Sequence, residues 1–203
     1  MVQDVSYWDH RKPVRRTRAV DVDEIARIAV ELLDGGGLRA LTLRAVAHQL
    51  DVAPASLYSR VTAVEDLFDL ALDRALGLDP EVQAATAGAE VLDLMHAYYR
   101  HLVQHPWACQ VIAMRAPRGP HYLRLSERLC VLLAEGGSTD PLGDAYALSN
   151  FVIGSATTTP TAGSEQAAAV DTDIAPLYAS LHASHSMDAE AILHAGLRAL
   201  LRR

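Results

Sequence analysis

The sequence predicts an all-α protein, with a small N-terminal helical domain joined through one helix to a larger helical body. Three observations predict it. Ala and Leu dominate a chain of 203 residues that is 50% hydrophobic but only 5% aromatic, a bias that favours helix over strand. Apolar residues recur at three- and four-residue spacing, and no alternating run of β-branched and aromatic residues is long enough for a sheet. Asp, Thr and Pro stand before several apolar stripes and Gly after the first of them, where helices start and stop.

Taken in order, residues 1–19 are polar and basic, contain Pro13, and read as a flexible arm, with packing of Tyr7 and Trp8 on the body left open. Asp21-Val-Asp-Glu24 is a capping-box pattern, followed at helical spacing by Ile25, Ile28, Ala29, Leu32 and Leu33. Gly35-Gly36-Gly37 stops this first helix. Thr42 caps a second, whose stripe is Leu43, Val46, Ala47 and Leu50. Asp51-Val52-Ala53 is a turn, and Pro54 opens a short third helix, about 54–61, at the position that Pro favours. A fourth, about 63–77, carries Leu67, Leu70, Ala71 and Ala75 on one side, with Glu65, Asp66, Asp69 and Asp73 interspersed. Asp79-Pro80 marks a boundary. Beyond it the pattern predicts helices near 88–105, 106–114, 120–135, 141–159, 173–184 and 188–203, with the Thr-, Ala- and Ser-rich stretch 157–169 as a loop.

The net charge of −7 argues at first against a nucleic-acid partner, but the charge is unevenly placed. Residues 1–62 balance at +1 and residues 63–203 at −8, and Arg11–Arg18 holds five basic residues and no acid. A near-neutral end on an acidic body suits a DNA reader attached to an oligomerisation domain. No stretch approaches the about 20 apolar residues of a membrane span, and the first residues carry charges in place of a signal-like apolar core. A soluble protein of the cytoplasm is expected, with Cys109 and Cys130 as free thiols.

The second and third helices form a helix-turn-helix, which requires a close joint and a helix that presents short side chains to the major groove. Ala47 and Val52 supply the joint, and Leu57 points inward. Ala55, Ser56, Ser59 and Arg60 then face outward, with Arg60 suited to guanine or phosphate. Tyr58 and Thr62 offer hydroxyls to phosphates, and Thr42 and Arg44 stand where a helix N-terminus meets the DNA backbone. Any pair of short amphipathic helices shares this periodicity, so a purely structural pair is the alternative.

Residues 21–77 resemble the DNA-binding domain of the TetR family of bacterial transcriptional repressors. Ile25 to Ala29, Gly37-Leu38, Leu41 to Ala47, Leu50 to Tyr58 and Glu65-Asp-Leu67 carry the resemblance, with Leu57-Tyr58 after Val52 its most specific part. It implies phosphate contacts at Thr42 and Tyr58 and base-facing positions at Arg44, Pro54, Ala55, Ser56, Ser59 and Arg60. Asp51 stands where the family usually has Gly, and Val64 where it usually has a phosphate-binding Lys. The missing Lys implies weaker backbone binding, which the Arg11–Arg18 run is placed to offset.

His105-Pro-Trp107, Gly119-Pro120, Glu127, Phe151-Val-Ile-Gly154 and Ala195 to Leu201 resemble the ligand-binding domain of the tetracycline-repressor subgroup. This implies a homodimer through a four-helix bundle made by the helices near 141–159 and 188–203 of each subunit. The residues agree. Ala145, Ala147, Leu148, Phe151, Val152, Gly154 and Ser155 make an apolar face with small residues, and Ile192, Leu193, Leu197, Leu200 and Leu201 a second stripe. Core packing is the alternative for both. Residue type and helix position select Met95, His96, Tyr99, Trp107, Ile112, Met114, Tyr122, Leu125, Asn150 and Thr158 as lining an effector chamber for a hydrophobic or polycyclic molecule, core packing again being the alternative. His101 and His105 have a metal-ligand spacing but no acidic or Cys partner at a telling position, so they read as surface or capping histidines, as do His182 and His185. No metal or cofactor is expected.

The expected architecture is a flexible basic arm (1–19), a three-helix helix-turn-helix domain (20–62), a connecting helix (63–78) and a C-terminal helical ligand-binding and dimerisation domain (79–203). The expected function is a ligand-responsive repressor that binds a palindromic double-stranded DNA operator as a homodimer and is released by a small hydrophobic effector. The alternative is a helical small-molecule-binding or protein-partner module with lost or weak DNA binding. No Ser/His/Asp set, phosphate-cradling glycine loop or paired-carboxylate arrangement points to an enzyme.

Overall fold

In the computed structural model, which describes residues 6–10, 20–185 and 188–202, most helices begin where an Asp or Thr side chain or a proline replaces a missing first-turn partner. Asp21 accepts the Asp23 amide at 3.1 Å and starts α1 (Val22–Gly36). Thr42 accepts the Ala45 amide at 3.0 Å and starts α2 (Leu43–Gln49). Pro54 opens α3 (Pro54–Leu57), and α4 follows as Val64–Leu78. Asp79 accepts the Glu81 and Val82 amides and starts α5 (Pro80–Gly88). The body continues through α6 (Val91–Gln104), α7 (Pro106–Met114), α8 (Pro120–Glu135), α9 (Pro141–Thr158), α10 (Ala162–Ala167), α11 (Pro176–Ser184) and α12 (Ala189–Leu201). Single 3-10 turns lie at Tyr7–Asp9 and Thr159–Thr161, and no strand occurs among the described residues.

The core runs unbroken from head to body, and α4 is its axis. Ile25, Ile28, Ala29 and Leu33 of α1 are buried against α4, which buries Leu67, Leu70 and Ala71 in return. Each such Leu or Ile contributes about 1.5–3 kcal/mol of burial free energy. Other faces of α4 meet α5, α7 and α8, so the same helix belongs to both parts of the molecule. Below it, α6 packs on α9 through a core that includes Leu94, Met95, Tyr98, Leu148 and Val152. The last helix, α12, buries only Leu193 and Leu197. It approaches α9 closely because Gly196 has no Cβ, which would strike the Phe151 ring. No residue of α11 is buried, and Leu177, Tyr178 and Leu181 lie exposed along it.

Four expectations are corrected. Residues 6–10 are not a free arm. Tyr7 is buried, and Ser6 and Asp9 close a reciprocal cap around the 3-10 turn. The basic run Arg11–Arg18 lies outside the described residues. The segment after Asp79-Pro80 holds an additional helix, α5, because Asp79 caps it and Pro80 is preset for its first turn. The stretch 157–169 is mostly helical. Its hydroxyls bond back into the helix, Thr157 to the Ile153 carbonyl at 2.7 Å and Thr159 to that of Ser155 at 2.8 Å. The third helix is four residues long and ends at Leu57, with a turn through Arg60.

Candidate nucleic-acid interface and ligand groove

The α2–α3 joint is built from Val46, Ala47 and Leu57, all at most 1% exposed. The turn between them is tight. The Val52 amide donates to the Ala47 carbonyl at 3.0 Å, and Asp51 takes the left-handed conformation, φ 52°. Asp occupies here a region that glycine enters without strain.

Thr42, Arg44, Pro54, Ala55, Ser56, Tyr58 and Ser59 are all exposed and belong to α2, α3 and the turn that follows. Tyr58 is 53% exposed, a large amount for an aromatic ring on a small domain. Arg60 and Thr62 are engaged within the fold. Arg60 is buried, and its Nε donates to the Val20 carbonyl at 2.7 Å. Arg60 follows inward-facing Leu57 by three residues, a spacing that keeps it on the same side, and it pins the chain just before α1. Thr62 is exposed, but its hydroxyl and amide both donate to Asp66 Oδ2, at 2.8 and 2.6 Å, so it secures the start of α4 and has no hydrogen left for a phosphate.

Three buried carboxylates of α4 hold neighbouring elements, a role that spacing alone did not reveal. Asp66 binds Thr62 and His10, the latter at 3.0 Å. Asp69 accepts the Tyr7 amide at 2.8 Å, the Ser6 hydroxyl at 3.1 Å and the Arg115 Nε at 3.1 Å. Asp73 accepts the His121 amide at 2.7 Å and so caps α8. Gly119 is required beside it, since a Cβ there would strike the Asp73 carboxylate. Burial pushes the Asp73 carboxyl above the usual range, although the His121 amide pulls it back.

Loop 115–119, fixed at both ends by Asp69 and Asp73, rims a groove of about 330 Å³ between α7, α8 and α9. Of the ten expected effector contacts, the groove gathers Ile112, Tyr122 and Asn150. The others lie elsewhere. Met95 and Leu125 are core residues, and Tyr99 is buried with its hydroxyl 2.8 Å from that of Thr159. His96 faces His194 at 3.1 Å, and Met114 is exposed. The Thr158 hydroxyl donates to the Gly154 carbonyl. Trp107 donates its indole N–H to Asp34 of α1 at 2.6 Å, so it fastens body to head. Arg118, Leu129 and Tyr146 line the groove and were not anticipated. Arg118 alone had a sequence signal, a cation in a Pro- and Gly-bearing inter-helix loop.

The reading of His101 is also corrected. His101 is not a surface residue: its side chain is fully buried, with Nδ1 2.9 Å from Asp79, and burial followed by His105 lowers its pKa. His105 meets Asp34 at 2.7 Å. A larger cleft of about 650 Å³ lies between the N-terminal turn, α1 and α4, but Asp21, Asp23, Arg60, Asp73 and Arg74 make it a poor receptacle for an apolar molecule. Among the described residues no group of three His, Cys, Asp or Glu side chains is arranged for a metal ion, and no helix is long and apolar enough to cross a membrane.

The family model described as the tetracyclin repressor-like, C-terminal domain matches residues 79–202. The chain belongs to the TetR family of transcriptional regulators. It is 37% identical over 156 residues to an HTH-type transcriptional regulator of Saccharopolyspora erythraea, covering 73% of this chain and 65% of that one. It is 32% identical over 161 residues to the HTH-type transcriptional repressor DrrR1 of Streptomyces coeruleorubidus, covering 73% of this chain and 58% of that one. The aligned regions therefore span less than two thirds of either relative. Among solved structures, a possible TetR family transcriptional regulator from Streptomyces coelicolor A3(2) is similar with a TM-score of 0.76 at 26% identity, over 90% of this chain and 97% of the other. The TetR family protein ActR of Streptomyces coelicolor, in complex with (S)-DNPA, is similar with a TM-score of 0.75 at 26% identity, over 92% and 97%. A further ActR structure contains actinorhodin. The TetR family fold thus accounts for the head, the connecting helix and the body together.

Proposed function

We propose that the protein is a ligand-responsive transcriptional repressor that binds a palindromic operator as a homodimer and releases it when a small effector fills the groove between α7, α8 and α9. The observation that carries this reading is the disposition of α4: Asp66 holds the end of the helix-turn-helix at Thr62, while Asp69 and Asp73 hold the loop that rims the groove. A ligand that displaces loop 115–119 pulls on the same helix that sets the position of the head. A coupling of about 1–3 kcal/mol between the two sites is enough to change operator affinity by up to about 150-fold.

Ile192, exposed on α12, and the close α9–α12 approach at Gly196 and Phe151 support dimerisation through those helices. Two heads on a twofold axis read half-sites about one helical turn or more apart. The relative DrrR1 is named a repressor, and ActR is solved with small molecules bound, which supports repression and effector binding in this chain. The test is a gel shift with DNA from the protein's own upstream region, with and without candidate effectors. Retention that effector abolishes supports the proposal, and no retention of any genomic fragment at low salt refutes it.

One observation favours the second reading, a binding module with weak DNA affinity. With Arg60 withdrawn, Arg44 is the one basic side chain left among the nine expected DNA contacts. Loss of operator retention on Arg44→Ala separates the two, since a module without DNA function has nothing to lose.

A further inference from the structure

We infer that the groove between α7, α8 and α9 takes an aromatic or polycyclic acid, with its ring body on Ile112, Leu129 and Ile153 and its anionic group on the Arg118 guanidinium. This rests on the reading of the groove as the effector site and adds the chemical class of the effector.

The groove, at about 330 Å³, is in the range of small-molecule sites, and its walls are largely aliphatic. Among the described residues Arg118 is the only charged side chain in its lining, with Glu127 outside it but close enough to act on the Cys130 thiol. One Nη of Arg118 donates to the Pro117 carbonyl at 3.0 Å, and its remaining N–H groups make no hydrogen bond to a described residue. Burial pushes the Tyr122 hydroxyl above the usual tyrosine range, against the pull of Tyr98 and, least of all, of Arg118, so it keeps its proton and can donate. Behind it, outside the groove lining, Tyr98 is wholly buried and is pushed up by burial and then by the neighbouring Tyr122 hydroxyl. A groove whose described lining holds one cation, a Tyr122 hydroxyl able to donate and no carboxylate favours acids. A cationic ligand meets the guanidinium charge with no carboxylate in the described lining to offset it, and a neutral hydrocarbon leaves the Arg118 and Tyr122 donors unused.

Two fluorescent probes with nearly the same aromatic body separate the classes: anilinonaphthalene sulfonate, which is anionic, and phenylnaphthylamine, which is neutral. Titration of each into the full chain is expected to show saturable binding of the sulfonate at one site per chain. Arg118→Gln weakens the sulfonate about tenfold or more and the neutral probe by less than about twofold. Arg118→Lys restores most of the sulfonate affinity. Ser126→Trp or Ser149→Trp, each filling the groove, abolishes sulfonate binding while circular dichroism shows the helices intact. Equal weakening of both probes by Arg118→Gln, or sulfonate binding that survives both groove-filling variants, overturns the inference. Its failure is distinct from that of the repressor reading: DNA retention by the ligand-free protein tests that reading without any probe.

Discussion

The Arg115 guanidinium and the Asp69 carboxylate form a two-point ion pair, 3.1 and 3.2 Å, with both side chains buried. The same carboxylate also accepts from the Tyr7 amide and the Ser6 hydroxyl. One side chain of the connecting helix therefore holds the groove-rim loop and the N-terminal turn together, although the three elements are far apart in sequence.

Removal of one partner leaves a buried charge uncompensated. Asp69→Ala is expected to cost about 3–5 kcal/mol, read as a fall in the urea midpoint. It should also free the N-terminal turn. With Trp107→Phe as background, Trp8 is the sole indole, since the chain has two Trp. Its emission should shift toward that of solvent-exposed tryptophan in Asp69→Ala and less in Arg115→Ala, because Tyr7 keeps its acceptor in the latter.

Arg60 and Arg44 look alike in the sequence and act differently in the structure. Arg60→Ala should lower stability by about 1–3 kcal/mol through the lost bond to the Val20 carbonyl, yet leave the salt dependence of DNA binding in place. Arg44→Ala should leave stability within about 0.5 kcal/mol and weaken operator binding. If Arg44 meets a phosphate, the logarithmic salt slope drops by about 0.9. Thermal melts and anisotropy titrations at several salt concentrations read both.

Much of the fold was legible because capping residues punctuate it. Thr42, Pro54, Pro106, Pro120, Pro141 and Asp188 each mark a helix start or cap that the structure repeats. The candidate sites were less legible, for two physical reasons. Arg60 follows inward-facing Leu57 by three residues, which keeps it on the buried side, yet a cation beside a helix-turn-helix reads first as a DNA contact until its bond to the Val20 carbonyl is known. The acids of α4 look like a solvated stripe until their partners at Tyr7, Arg115 and His121 are known, and those lie 46–62 residues away. Residue type alone likewise failed to separate groove-lining Tyr122 from Tyr99, which bonds Thr159 in the core.

Asp51 holds φ 52° at the helix-turn-helix turn. Asp51→Gly should leave stability unchanged or raise it by up to about 1 kcal/mol, because the left-handed strain is relieved. Asp51→Val should lower it by about 1–2 kcal/mol. Chemical denaturation of the two variants beside the parent chain checks both signs.

The protein should lose stability on mild acidification. Burial, then His105, holds the His101 pKa below the ordinary 6.5, even though Asp79 pulls it up. The unfolded chain therefore binds a proton that the folded chain refuses. Stability is fully present above pH 6.5 and falls as the pH drops toward the folded value. His96, lowered by burial and then by His194, adds in the same direction. Asp73, raised by burial, works the opposite way but only in the carboxylate range. Urea midpoints between about pH 7.5 and about pH 5.5 should fall for the parent chain and flatten in part for His101→Asn.

The most direct trial of the account is selection of genomic DNA fragments by the full chain, followed by anisotropy titration of the fragment that binds. The expected result is a fragment with an inverted repeat, saturated at two chains per duplex, and lost to Arg44→Ala but kept by Arg60→Lys. Retention of no fragment at low salt, or binding indifferent to both Arg44→Ala and the repeat, would contradict it.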